Sequence, residues 1–221
     1  MLTSPRGSAL IMLPTRELAN QVETVVKQLL GQYGTIKTAL LIGGDSMPKQ
    51  QAQLRMRPRI IVGTPGRIID HLQRGSLMLH DATYLVLDET DRMLDMGFED
   101  QIMQILKYLP QQRQTLLFSA TLPPQILKLS EKYLKNPERV EIGETNKAAD
   151  RIEQKTINVT NEEKYNTLIR ELKERDGTAI IFVKAKYATE KLAAKLKKSG
   201  FTADAIHGDL EQRQRPDRRI R

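Results

Sequence analysis

Five short apolar runs punctuate the first two-thirds of the chain, and a polar or glycine motif follows each one immediately. The runs occupy residues 9–13, 36–42, 59–62, 84–87 and 115–118. Their length and continuity suit strands buried on both faces, the last-but-one (Tyr84, Leu85, Val86, Leu87) most clearly. Between them the apolar spacing changes to the helical period. Leu18, Val22, Val25, Val26, Leu29 and Leu30 predict an amphipathic helix ending near Gly31. A short helix is expected over 50–56. Thr64 as N-cap and Pro65 as first helical residue predict another, carrying Ile68, Ile69 and Leu72. A helix over 99–108 follows, and Pro123-Pro124 opens one carrying Ile126, Leu127, Leu129 and Leu134. Leu94, Met96 and Phe98 read as core.

The pattern loosens from 137 to 157, and a linker is placed at 143–150. A second alternating unit begins at Thr160 and Glu163, which have capping-box spacing ahead of Tyr165, Leu168, Ile169 and Leu172. Strands are predicted over 178–183 and 203–206, with a helix over 187–198 stopped by Ser199-Gly200. Strands and helices alternating at this length argue for parallel βαβ sheets, an α/β fold.

Composition narrows the chemistry. Of 221 residues 39% are hydrophobic and 28% charged, as in a soluble globular chain. The formal charge of +8 makes a polyanionic partner plausible. It is uneven: residues 1–150 hold 18 Lys/Arg against 16 Asp/Glu, and residues 151–221 hold 17 against 11. Absence of cysteine excludes disulfides, thiol catalysis and Cys-ligated zinc. His71, His80 and His207 are too scattered for an imidazole metal site. No apolar run approaches membrane-spanning length and the run at 9–13 is too short for a signal peptide, so a cytoplasmic protein without membrane partners is expected.

The five motifs after the strands are Pro14-Thr15-Arg16-Glu17, Gly43-Gly44, Thr64-Pro65-Gly66-Arg67, Asp88-Glu89-Thr90-Asp91 and Ser119-Ala120-Thr121. In a parallel sheet they share one edge. That edge then collects hydroxyls, backbone donors and two arginines, which grip phosphates, beside three carboxylates, which need a cation. Each motif taken alone has a plainer reading: a solvated acidic turn, an exposed Arg16–Glu17 pair, a helix start at Thr64-Pro65.

Taken together and in order, these strings resemble the DEAD-box family of ATP-dependent RNA helicases. Residues 14–19 resemble motif Ia, Gly43-Gly44 the GG motif, residues 64–67 motif Ib, residues 88–91 motif II and residues 119–121 motif III. In the second unit Ile180-Ile181-Phe182-Val183 is similar to motif IV, and Gln212 with Arg215 to the Gln-x-x-Arg motif. The resemblance covers the chain from about Ala9 to Arg215 and implies a RecA-like parallel sheet lobe, truncated at its N-terminal side, followed by the start of a second RecA-like lobe. The implied domains are a nucleotide-binding lobe over 1–142, the linker, a second-lobe segment over 151–215 and a basic, disordered tail over 216–221.

By the same resemblance Asp88 would hold Mg²⁺ on ATP phosphates through water, and Glu89 would direct the attacking water. Asp91, Ser119, Ala120 and Thr121 would couple hydrolysis to lobe movement. Pro14, Thr15, Arg16, Glu17, Gly43, Gly44, Thr64, Pro65, Gly66 and Arg67, with Gln212 and Arg215, would contact RNA without reading bases.

The chain also departs from the family pattern. Thr90 replaces the alanine of motif II. No glycine is followed by lysine, so no Gly-x-x-x-x-Gly-Lys-Ser/Thr phosphate loop exists, and there is no His-Arg pair for the final motif. The expectation is an internal helicase fragment, inactive as an ATPase alone and with complementary helicase fragments as candidate partners. A nucleotide-independent RNA-binding module is the alternative. A metal-dependent phosphohydrolase at Asp88, Glu89 and Asp91 ranks last, since no further ligand completes a two-metal site.

Overall fold

The computed structural model describes residues 7–31, 36–141 and 153–210, apart from the side chains at positions 125 and 132. The chain divides into two compact units, Met1–Lys147 and Ala148–Arg221.

The first unit is built on five parallel strands in the order β2-β3-β1-β4-β5. They are β1 Ser8–Met12, β2 Thr38–Leu41, β3 Ile60–Gly63, β4 Ala82–Leu87 and β5 Gln114–Leu117. The helices between them are α1 Arg16–Leu30, α2 Met47–Arg55, α3 Pro65–Gln73, α4 Thr90–Asp95 and α5 Glu99–Leu106, with α6 Pro124–Tyr133 after β5. Strand alternation sends Leu10, Met12, Leu41, Ile61, Leu85 and Leu87 to one face, where they pack with Ile68, Met93, Ile102, Ile105 and Leu129. Leu13, Leu40, Ile42, Ile60 and Val62 go to the other, beneath α1 through Leu18, Ala19, Val22 and Val26.

That second layer covers only β1, β2 and β3. Residues 84–87 are therefore not buried on both faces as their apolar run suggests: Leu85 and Leu87 are buried, while Tyr84 and Val86 are half-exposed. Two residues of the predicted α1 stripe, Val25 and Leu29, also face outward, and buried Glu23 takes a place in it. Glu23 is paired with Lys27 at 2.7 Å and accepts from the Thr38 hydroxyl at 2.9 Å, which ties α1 to β2.

In the second unit the predicted helices form as α7 Lys164–Lys173 and α8 Lys186–Lys198. The capping box closes ahead of α7. Thr160 donates its backbone N–H and hydroxyl to Glu163 at 3.2 and 2.8 Å, and its hydroxyl accepts from the Glu163 N–H. The predicted strands do not form. Residues 178–183 and 203–206 enter no ladder among the described residues, and Ile180 and Phe182 are exposed. Apolar content permits a strand, but only a ladder of hydrogen bonds to a neighbouring strand makes one, and neither segment enters such a ladder among the described residues. The linker at 143–150, Gln212, Arg215 and the tail at 216–221 lie outside the described residues.

Candidate functional site

Register brings the strand tips level. Met12 pairs with both Gly63 and Leu87, Leu41 with Gly63, and Leu87 with Leu117. The five motifs leave the sheet side by side at its carboxyl edge, where parallel α/β sheets carry their ligand chemistry. The ladder extends one step into them, with Thr64 N–H bonding Leu41 O, Asp88 N–H bonding Met12 O and Phe118 N–H bonding Leu87 O.

On one side of the edge, motifs from three strands interlock. The hydroxyl of Thr15 caps α1 by accepting from Leu18 N–H at 3.2 Å, which fixes Arg16 as the first helical residue. The Arg16 guanidinium lies flat on Gly43: a Cβ there would sit 3.3 Å from its Nη2. Gly44 turns with φ +80°, a conformation that favours glycine. Arg67 donates from Nη1 to Asp45 O at 3.1 Å and lies 3.6 Å from the Asp70 carboxylate, so its side chain, only 13% exposed, ties α3 to the glycine turn. Thr64 is the N-cap residue of α3 through its backbone, with no hydrogen bond from its side chain, and Pro65 takes the first helical position as expected. Pro14 and Pro65 are buried, Gly66 is half-buried, and Glu17 is exposed in the first turn of α1.

The acidic cluster occupies the other side. Asp88 Oδ1 accepts from Glu89 N–H at 2.9 Å, and Glu89 has left-handed backbone angles, φ 47° and ψ 51°. A non-glycine residue held there costs about 1 kcal/mol and marks a position that its surroundings over-determine. Glu89 is bonded by Arg92 Nη1 at 3.0 Å. The strain starts α4, a helix that the acidic residues disguise in the sequence as a turn. Within it Met93 is buried and Leu94 packs against the core, whereas Met96 beyond its end is exposed.

Asp91 reaches from α4 across to the tip of β5. Its Oδ2 accepts the Thr121 N–H at 3.0 Å and the Thr121 hydroxyl at 2.8 Å, while its own N–H donates to Ser119 Oγ at 3.3 Å. Burial pushes the Asp91 carboxyl up. The bonds from the Thr121 hydroxyl, the Arg92 and Thr121 N–H groups and Ser119 outweigh that, so it titrates below the usual carboxylate range. Ser119 Oγ closes the loop by donating to Thr121 O at 2.7 Å, and Ala120 between them is exposed.

Residues 1–129 match the DEAD/DEAH box helicase family and residues 163–218 match the helicase conserved C-terminal domain. The chain belongs to the DEAD-box family of RNA helicases. It is 42% identical over 213 residues to the ATP-dependent RNA helicase DbpA of Bacillus subtilis, covering 96% of this chain and 44% of that protein. It is 45% identical over 219 residues to the ATP-dependent RNA helicase DeaD of Mycobacterium tuberculosis, covering 97% of this chain and 38% of that one. The crystal structure of a DEAD box protein from the hyperthermophile Methanococcus jannaschii matches with a TM-score of 0.57 and 39% identity, over 96% of this chain and 57% of that chain. The chain thus spans about two fifths of the length of these curated relatives.

Within the DEAD-box frame, the motif II threonine is accommodated. Thr90 is fully buried, its hydroxyl donates to Leu87 O at 3.3 Å, and its N–H bonds Phe118 O at 3.0 Å. The added hydroxyl is satisfied without disturbing the Asp91 contacts.

The nucleotide half of the edge is less complete. Among the described residues no three His, Asp or Glu side chains gather to hold a metal ion. Asp88 offers one half-buried carboxylate, which suits a hydrated Mg²⁺ carried in on phosphates, not one caged by protein. The chain has no phosphate loop to hold those phosphates. The residues present do not by themselves fit ATP·Mg²⁺. No helix of the described residues is long and apolar enough to cross a membrane.

Sequence reasoning missed a polar set behind the glycine turn: buried Gln50 and His71 with half-buried Ser76. His71 sits within the apolar stripe of α3, between Ile68 and Leu72, and that misplaced polarity was the available signal.

Proposed function

We propose that this chain supplies the RNA grip and the coupling element of an ATP-dependent RNA helicase. Thr15, Arg16, Gly43, Gly44 and Thr64 contact the sugar–phosphate backbone of one strand, and Arg67 holds the turn that presents the glycines. Gln212 and Arg215 of the second unit contact RNA likewise. Asp91, Ser119 and Thr121 link the acidic cluster to the tip of β5. In the whole helicase, Asp88 and Glu89 serve RNA-stimulated ATP hydrolysis and local duplex unwinding, with nucleotide and Mg²⁺ held largely by groups outside this chain. One observation carries the reading: Arg16 lies on Gly43 while Arg67 bonds Asp45, so three separate motifs form one surface. No base-reading side chains stand out on it, so binding is independent of sequence and falls with salt.

A second reading follows from the contrast between an assembled grip and a missing phosphate loop: the chain alone binds RNA without regard to nucleotide. The test is binding of a fluorescent single-stranded RNA, with and without ATP, beside an ATPase assay. The expected result is salt-dependent binding indifferent to ATP, no RNA-stimulated hydrolysis, and at least about tenfold loss in Arg16→Ala plus Arg67→Ala. Hydrolysis abolished by Glu89→Gln would overturn the division of labour, and unchanged binding in the double variant would overturn the grip.

A further inference from the structure

Behind the glycine turn lies a polar chain that none of the motifs includes. Gln50 on α2 is 1% exposed and His71 on α3 is 0% exposed. Gln50 Nε2 donates to the carbonyl of Ile42 at 2.9 Å, and its Oε1 lies 3.0 Å from His71 Nε2. His71 Nδ1 lies 2.8 Å from Ser76 Oγ.

These contacts admit one proton arrangement for a neutral imidazole. Only the amide NH₂ can serve a carbonyl, so Gln50 must offer its oxygen to His71, and Nε2 must carry a hydrogen. Burial, then the charge of Arg67, lowers the His71 pKa; Asp70 opposes this and Arg74 adds to it, leaving the ring neutral. Nδ1 is then an acceptor facing the Ser76 hydroxyl, whose single hydrogen is shared with the His71 carbonyl 3.1 Å away.

The relay ends on the last carbonyl before Gly43-Gly44, and that carbonyl belongs to the peptide whose N–H is Gly43's. Holding Ile42 O fixes that peptide plane and therefore the direction of the Gly43 N–H. Neither Gly43 nor Gly44 donates its N–H to protein among the described residues, so both donors remain for a ligand. The far side of the same turn is held by Arg67, one helical turn before His71 on α3. The turn is thus held from both sides, by Arg67 of α3 on Asp45 O and by Gln50 of α2, backed by His71 of α3, on Ile42 O. A merely space-filling role is better served by apolar residues, because burying an amide and an imidazole costs their hydration.

We infer that Gln50 and His71 are positioning residues of the RNA grip, orienting the backbone N–H groups of Gly43 and Gly44 toward the phosphates of a bound strand. The inference rests on the grip proposed above and adds to it the part that sets its geometry.

The test uses the full chain and a fluorescent single-stranded oligouridine, with dissociation constants measured across a salt series. Gln50→Met keeps length and removes both hydrogen bonds; it should weaken binding about tenfold, the scale of one misdirected hydrogen bond to a charged group. Its salt slope should match the parent, because no cationic contact is lost, whereas Arg16→Ala should reduce the slope by about one. His71→Gln, which still presents an N–H to Gln50, should bind within about twofold of the parent, and His71→Leu should resemble Gln50→Met. Leu129→Ala, a core change on the buried face of α6, separates stability from geometry: it should lower the melting temperature while the folded chain binds as before.

Parent-like binding by Gln50→Met, while Arg16→Ala plus Arg67→Ala is impaired, overturns the relay alone. Parent-like binding by the double variant overturns the grip and the relay together. If Gln50→Met does not fold, Ser76→Ala at the half-buried end of the relay takes its place. It should weaken binding about threefold, and equality with the parent overturns the inference.

Discussion

The two units of this chain were given the same alternating pattern and used it differently. In the first, β1, β3 and β4 each lie between two neighbours, and side chains from both faces of the sheet enter cores. In the second, α7 and α8 form, while the apolar segments around them enter no strand ladder among the described residues. Among its described residues, Leu196 and Ala205 are the buried hydrophobic ones. Tyr165 joins its two helices, donating to Lys195 O at 3.0 Å and meeting Ser199 Oγ at 2.9 Å, with the Lys195 ammonium 3.6 Å above its ring. The difference is one of locality. A helix closes its hydrogen bonds within its own segment, whereas a parallel strand takes every one from elsewhere in the chain.

The largest expected consequence is in amide exchange. Amides of β1 should be protected at least about a thousandfold, since they open only with the sheet, and those at 178–183 should exchange within about tenfold of free peptide. Peptide-resolved exchange measures both in one experiment. Comparable protection at 178–183 and in β1 would erase the contrast.

Core truncation should show the next largest effect. Leu85 is fully buried between neighbouring strands, so Leu85→Ala should cost about 3 kcal/mol of first-unit stability. Leu196, 4% exposed on a helix with few buried neighbours, sits where the chain can collapse, and Leu196→Ala should cost about 1 kcal/mol. Urea titration followed by exchange in each unit separates the two, and equal costs would mean that the second unit holds a core as dense as the first.

The same locality explains what the sequence could and could not disclose. The five apolar runs, the Thr64–Pro65 helix start and the Thr160–Glu163 box were readable because their determinants lie within a few residues. The motif strings, read in order, disclosed the family and the carboxyl-edge position of the site. The strand order was not readable, since register depends on partners far along the chain. Nor was α4, which begins on a left-handed Glu89 that no propensity favours. The strands at 178–183 and 203–206 were misread for the complementary reason: apolar content was taken for pairing. His71 and Gln50 stayed hidden because neither belongs to a motif, and their meaning comes from the Ile42 carbonyl they reach together.

The smallest effect compares two carboxylates clasped by threonines. Asp91 takes two bonds from Thr121, 30 residues away, and joins α4 to the tip of β5. Glu163 takes its bonds from Thr160, three residues away, and its carboxyl is likewise held below its usual value by the Thr160 hydroxyl and N–H. For Asp91 the folded pKa lies below the unfolded value of about 3.9, so the unfolded state binds the extra proton as the solution is acidified. The stability from the clasp is therefore complete above about pH 4 and is lost as pH falls through the lowered folded value. Asp91→Asn should destabilise the first unit at pH 7 by no more than about 1 kcal/mol, because the group is partly solvated, and the gap should close as pH falls through the lowered folded value. Glu163→Gln closes no long-range contact, so it should loosen only the first turn of α7 and leave the first unit's acid profile unchanged. A gap for Asp91→Asn that persists undiminished at the acid end would show that the lost contact is one of shape, not of charge, and would remove the electrostatic account of the bond between motifs II and III.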